Sequence, residues 1–100
     1  MAEIIWSVPA LADLDAIADY IAIDNAPAAA AALVKWVLPQ VEQLIEHPDS
    51  GSRPQELKRS RYRQIVEPPC RVFYRVDGQH IVLVHVMRWE RALRRNRLSR

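Results

Sequence analysis

One cysteine and two glycines are all that this chain of 100 residues holds of either, and each shortage excludes something. With Cys70 alone no internal disulfide can form, which fits a reducing, cytoplasmic setting. Nothing beside it suggests a nucleophile, so a small buried hydrophobe is its expected role. There is no Cys/His spacing for zinc, no Gly-rich phosphate loop and no Ser-centred elbow motif, so neither a metal nor a cofactor is expected. No apolar run is long enough to cross a bilayer, and "AEIIWS" after Met1 offers neither a basic leader nor a cleavage site, so no membrane or secretion signal is expected. Half of the residues are nonetheless apolar, which favours a compact globule over a disordered chain. One domain spanning residues 1–100 is the expectation, with residues 95–100 too charged to pack and expected to fray.

Each half of the chain is also poor in charge of one sign. Residues 1–50 hold one base, Lys35, against eight acids, and residues 51–100 hold thirteen bases against four acids. The net +2 therefore conceals a −7 half and a +9 half, and such asymmetry points to an acidic or polyanionic partner. "KRSRYR", Lys58 to Arg63, concentrates four of the cations in six residues.

The apolar periodicity changes once along the chain. "EIIWSV" reads as a short strand ended by Pro9, which suits a first helical residue. Ala10, Leu14, Ile17 and Ile21 then recur at helical spacing, with Asp13 and Asp15 suiting the positive end of the helix dipole. "DNAP" resets the chain, and Ala30, Val34, Val37, Val41 and Leu44 give a second helix its apolar face, with Pro39 expected to bend it. Residues 9–46 thus predict a helical hairpin. After the loop "HPDSGSRP" the period becomes two, and "YRQIVE", "CRVFYRV" and "HIVLVHVMRW" read as strands joined at Pro68-Pro69 and at Asp77-Gly78, the latter a type I′ hairpin signal. The expected class is α+β, ordered β-α-α-β-β-β, with the N-terminal strand and the helical hairpin packed on one face of a mainly antiparallel sheet.

A two-residue Asp77-Gly78 turn pairs Phe73 with Val82 and Arg71 with Val84. Cys70, Val72, Tyr74, Val76, Ile81, Leu83 and Met87 then form the face beneath the helices. The other face carries Arg71, Phe73, Arg75, Val82, Val84, Val86 and Arg88. On the preceding strand Tyr62, Gln64 and Val66 suit the helix side, which requires an irregular loop at Pro68-Pro69, since a plain two-residue turn inverts the choice. The open face then has an apolar centre of Ile65, Phe73, Val82, Val84 and Val86, ringed by Arg61, Arg63, Arg71, Arg75 and Arg88. An apolar patch with a polar rim is the mark of a partner site.

Over nearly its whole length the chain resembles the RelE/ParE superfamily of toxins from type II toxin–antitoxin systems. The resemblance rests on "PALADLDAIADYIA", "AAALVKWVLPQVEQLIEHP", "ELKRSRYRQIV", "CRVFYRVDGQHIVLVHV" and the closing Arg88, taken in order. It implies a cognate antitoxin, here expected to be acidic in its toxin-binding segment, and a target that is either DNA gyrase, for ParE-like members, or messenger RNA in the ribosome, for RelE-like ones. By position Lys58 falls in the basic stretch, Arg71 matches a third-strand arginine (with Cys70 in place of the usual aromatic neighbour), and Arg88 matches the arginine that ends the last strand. Under the nuclease reading Arg71 and Arg88 are the phosphate ligands. The tyrosine usual near the C-terminus is missing from "WERALRRNRLSR".

Metal-free RNA cleavage also needs a base and an acid, and arginines stay protonated. His85 alternates with core residues and reads as structural, His80 as solvated, and His47 as loop. Glu67 and Glu90 flank strands and read as salt-bridge partners. The expected function is therefore that of a ParE-like toxin acting by binding. RNA cleavage is the alternative, and plain nucleic-acid binding near Tyr62, Phe73 and Trp89 is a third reading.

Overall fold

Ser7 converts the first strand into the first helix. β1 (Glu3–Trp6) ends there, and α1 (Val8–Asp24) begins with the Ser7 hydroxyl accepting the Ala10 amide at 3.1 Å. That cap satisfies one orphan donor of the first turn, and Pro9 has none to satisfy. The structure, a computed structural model, describes residues 2–24, 27–57, 59–67 and 70–88. α2 (Pro27–Glu42) carries Pro39 within it and passes into a 3₁₀ turn over Gln43–Ile45. A second 3₁₀ turn, Gln55–Leu57, precedes β2 (Arg63–Glu67), β3 (Cys70–Asp77) and β4 (His80–Arg88).

The sheet order is β1-β4-β3-β2, with β1 parallel to β4 and the other neighbours antiparallel. This is the expected β-α-α-β-β-β order on a mainly antiparallel sheet. Ala10, Leu14 and Ile17 of α1 and Leu33, Val37 and Val41 of α2 pack with Leu44 against Ile65, Cys70, Val72, Tyr74, Ile81, Leu83 and Val86. Leu33 was not among the residues expected on the second apolar face. Ile21, Ala30 and Val34 lie outside the described side chains.

Three features of register differ from the expected ones, and two of them change the faces. The hairpin turn is centred one residue later, on Gly78-Gln79, because Asp77 pairs with His80. Among the described residues only Gly78 has a positive φ, 59°, so the turn has the single left-handed position of a type II′ turn and not the two of type I′. Moving the turn by one residue displaces both strands together and leaves their faces unchanged near the turn. A bulge between Phe73 and Tyr74 does not. Tyr74 pairs with Leu83 but Phe73 pairs with His85, so β4 carries the extra residue, Val84. Beyond it the alternation of β4 inverts. Val86 pairs with Val72 and enters the core beneath the helices, and Arg88 pairs with Cys70 on that same face. Met87 instead joins the cluster around Phe73 and Val84.

The third correction is β2. Glu67 pairs with Cys70, leaving two residues between the strands, so the plain-turn register holds. Arg63 and Ile65 are paired with Tyr74 and Val72 on the core face, and Gln64 is paired with Phe73 on the other.

That other face is not open. Ser52 pairs with Gln64 along the outer edge of β2 through Ser52 N–H to Gln64 O at 2.9 Å and the reciprocal bond at 2.7 Å. From there the chain carries a buried Pro54 and the Gln55–Leu57 turn, and it places Glu56 against Arg71. Phe73 and Val84 are consequently buried. Ile65, Phe73, Val84 and Val86, expected as the exposed apolar centre of a partner site, are all core residues.

Candidate interaction site

The cations separate into distinct environments. Arg71 is 8% exposed. Its guanidinium donates to both oxygens of Glu56 at 2.9 and 3.1 Å, its Nε donates to the Gln64 side-chain oxygen at 3.0 Å, and its Cζ lies 4.9 Å from the centre of the Phe73 ring. A forked, bidentate ion pair of this kind is geometrically specific, and here it ties the 52–62 segment to β3. On the far side of Phe73, His85 stacks at 5.7 Å with 15° between the rings. The His85 Nδ1 is bonded to Asp13 of α1, whose same oxygen accepts the Val86 amide at 3.1 Å. α1 therefore covers β4 where β1 has ended, as the last β1–β4 bond runs from Ser7 N–H to Leu83 O at 3.1 Å.

Arg75 keeps its expected face, opposite Val82. Arg75 and Arg61 both hold Asp77, at 2.7 and 3.0 Å. The hydrogen bond from Arg75 is the main reason that the Asp77 carboxyl lies below its usual range, and the charges of Arg75, Arg61 and His80 add to it. A depressed carboxyl contributes stability above the ordinary aspartate range and loses it as pH falls through the depressed one. We expect an NMR titration of Asp77 to show a midpoint below that of ordinary aspartates, and Arg75→Gln to move it upward. A midpoint unchanged by Arg75→Gln would remove the assigned cause.

Arg63, on the core face, reaches the chain before β2 instead of a partner, donating to Gly51 O at 2.8 Å and Asp49 O at 3.3 Å. Arg88 stands 4.4 Å over the ring of Tyr20 in α1. Arg71 and Arg88 thus lie on opposite faces of the sheet. Lys58 lies outside the described residues, as do Trp89, Glu90 and the five arginines that follow. Much of the +9 is therefore either in the described ion pairs or beyond the described chain.

What remains exposed of the predicted face is a narrow strip, Val82 and Arg75 with Arg61, which is 63% exposed, continued by Ile5 of β1 opposite Val82. A larger apolar exposure lies on the helices. Val8 is 79% exposed and Trp36 56%, with Leu11, Tyr20 and Leu38 also exposed. Sequence reasoning did not single these out. The legible signal was an excess of large apolar residues outside the two apolar stripes. Among the described residues no group of three or more His, Cys, Asp or Glu side chains is placed to hold a metal, and no helix is long and apolar enough to cross a membrane.

The layout described here matches known proteins along almost its whole length. A family model described as "ParE toxin of type II toxin-antitoxin system, parDE" matches residues 4–93. The protein named "Toxin RelE2" of Caulobacter vibrioides is 35% identical over 96 residues, which are 94% of this chain and 99% of that one. A solved structure titled "Chromosomal ParDE TA system from P. aeruginosa" superposes with a TM-score of 0.77 at 28% identity, covering 90% of this chain and 98% of the other. With its strand order, its helical hairpin and this family match in agreement, the chain belongs to the ParE toxins of type II toxin–antitoxin systems.

Proposed function

We propose that this toxin acts by binding a cellular protein, DNA gyrase being the first candidate, and not by cleaving messenger RNA. The observation that supports this reading is the separation of Arg71 and Arg88 onto opposite faces of the sheet. In-line cleavage needs cations gathered on one phosphate together with a base and an acid. Here Arg71 is committed to Glu56, and His85, the nearest imidazole, is buried against Asp13. Gyrase supercoiling assayed with purified toxin is expected to be inhibited, while programmed ribosomes keep their message intact. Codon-register cleavage at the ribosomal A site would move the assignment to the endoribonuclease, the reading favoured by the name of the Caulobacter relative. A plain nucleic-acid-binding role would appear as DNA or RNA retention without either activity.

The antitoxin partner of this type II toxin is proposed to be acidic in its toxin-binding segment and to fold on binding. Its apolar anchors are assigned to the exposed helix residues Val8, Leu11, Trp36 and Leu38, since Phe73, Val84 and Val86 are buried. Its acidic residues are assigned to the strip around Arg61 and Arg75. Arg61→Glu is expected to slow association severalfold at low salt and to flatten its salt dependence, with a smaller change in dissociation. Stopped-flow association across a salt series tests this. An on-rate indifferent to both salt and Arg61→Glu would place the acidic contact elsewhere.

A further inference from the structure

Three stretches of strand edge differ in how they are closed. The outer edge of β2 is paired at Gln64 by Ser52, and β4 beyond Leu83 is met by Asp13. For the outer edge of β1 no partner appears among the described residues. Glu3 N–H bonds Gln79 O at 2.8 Å and Ser7 N–H bonds Leu83 O at 3.1 Å, so the odd-numbered residues of β1 direct their backbone groups to β4. By the alternation of a parallel ladder, Ile4 and Trp6 direct theirs outward. Natural edges of this kind are usually blunted by shortness, charged side chains, proline or a bulge; "EIIW" is short and carries Glu3, but it has no lysine, proline or bulge. Its outward side chain on the strip beside Val82 is Ile5, 42% exposed.

We infer that this edge pairs with a second copy of the chain, antiparallel, about a two-fold axis through Ile5. The register follows from the residues. Ile4 then opposes the second copy's Trp6, and each such pair exchanges two backbone bonds, so every outward N–H and C=O of Ile4 and Trp6 is used. Ile5 meets Ile5 at the closely spaced non-hydrogen-bonded position, where cross-strand apolar contact is greatest. A register centred on Ile4 would set Ile5 against Glu3 instead.

Charge also agrees with the Ile5 register. Glu3, whose side chain is 75% exposed with its carboxylate 3.5 Å from His80 Nε2, opposes the second copy's Ser7 at the N-terminus of its α1. The first turn of α1 has no acidic residue of its own, and an anion is favoured there. The two four-stranded sheets become one continuous sheet across the axis. This inference does not rest on the choice of target, and it competes with an antitoxin strand for the same edge.

An interface this short is smaller than that of a standard stable complex, so the dimer is expected to be transient and concentration-dependent. Sedimentation equilibrium of the purified full-length toxin, without antitoxin, should give a monomer–dimer equilibrium. Hydrogen exchange should show the Ile4 and Trp6 amides gaining protection as concentration rises. Ile5→Lys, at an exposed position pointing away from the helical core, should weaken association at least tenfold with an unchanged circular dichroism spectrum. Glu3→Lys should weaken it less.

If Ile5→Lys fails to fold, the exchange of the unmodified toxin still decides. A toxin that stays monomeric with fast Ile4 and Trp6 exchange at every concentration overturns the inference. So does protection of those amides that appears only when antitoxin is added, which would assign the edge to the antitoxin. A dimer that is unaffected by Ile5→Lys would show that another surface forms it.

Discussion

Replacing Phe73 by aspartate is expected to unfold the protein, although its position in the alternation of β3 reads as solvent-facing. The side chain is 0% exposed, lying between the guanidinium of Arg71 and the ring of His85. Truncating a buried phenylalanine alone costs about 3–5 kcal/mol, and a carboxylate there adds desolvation and repulsion from Glu56. Against a total stability of roughly 5–15 kcal/mol, no cooperative unfolding transition should remain. Phe73→Leu should keep the transition with a smaller loss of about 1.5 kcal/mol. A folded Phe73→Asp protein that has merely lost antitoxin affinity would restore the open-face picture and remove the second core.

The next largest effect is expected at Gly51. A methyl group there would stand 2.5 Å from the Tyr74 hydroxyl and 2.6 Å from the Gln64 carbonyl, closer than real contacts allow. The crowding has a cause. Gly51 N–H donates to the Tyr74 oxygen at 3.0 Å, while that hydroxyl donates to Pro48 O at 2.8 Å. Burial pushes the phenol above its usual range, against the Gly51 bond that lowers it, so the donor proton is retained. Gly51→Ala must push the 48–52 chain off Tyr74 or break the Ser52–Gln64 bridge. The expected loss is about 3 kcal/mol, or roughly 15 °C in melting temperature for a protein of this size. Tyr74→Phe in the same background should recover part of it by removing the clashing oxygen. A melting temperature within a few degrees of the unmodified protein would mean that the loop is not packed as described.

The sequence exposed the element order and the principal core because both depend on periodicities that survive local irregularity. Ala10, Leu14 and Ile17 on α1, and Val37, Val41 and Leu44 on the second helix and its 3₁₀ extension, are buried as their spacing requires. The faces of β2 and of the second half of β4 were not legible. A face is a parity, and a single bulge residue at Val84 reverses it without leaving a mark in composition. Nor could the spacing of "SRPQE" disclose that Glu56 would fold back onto Arg71 and close a surface that strand alternation leaves open. The exposed apolar residues of the helices were visible as letters but not as a site, since Trp36 and Tyr20 read equally well as flanks of a buried stripe.

The bulge at Val84 also bears on how roles are transferred between related chains. Two sequences can align without a gap through β4, yet if one carries the extra residue opposite Phe73 and Tyr74 and the other does not, their later residues stand on opposite sides of the sheet. A matching arginine is then the same letter serving two different solvents: one copy looks toward the helices and the other away from them. For this fold, conservation of the arginine that ends β4 has chemical meaning only together with conservation of the irregularity four residues before it.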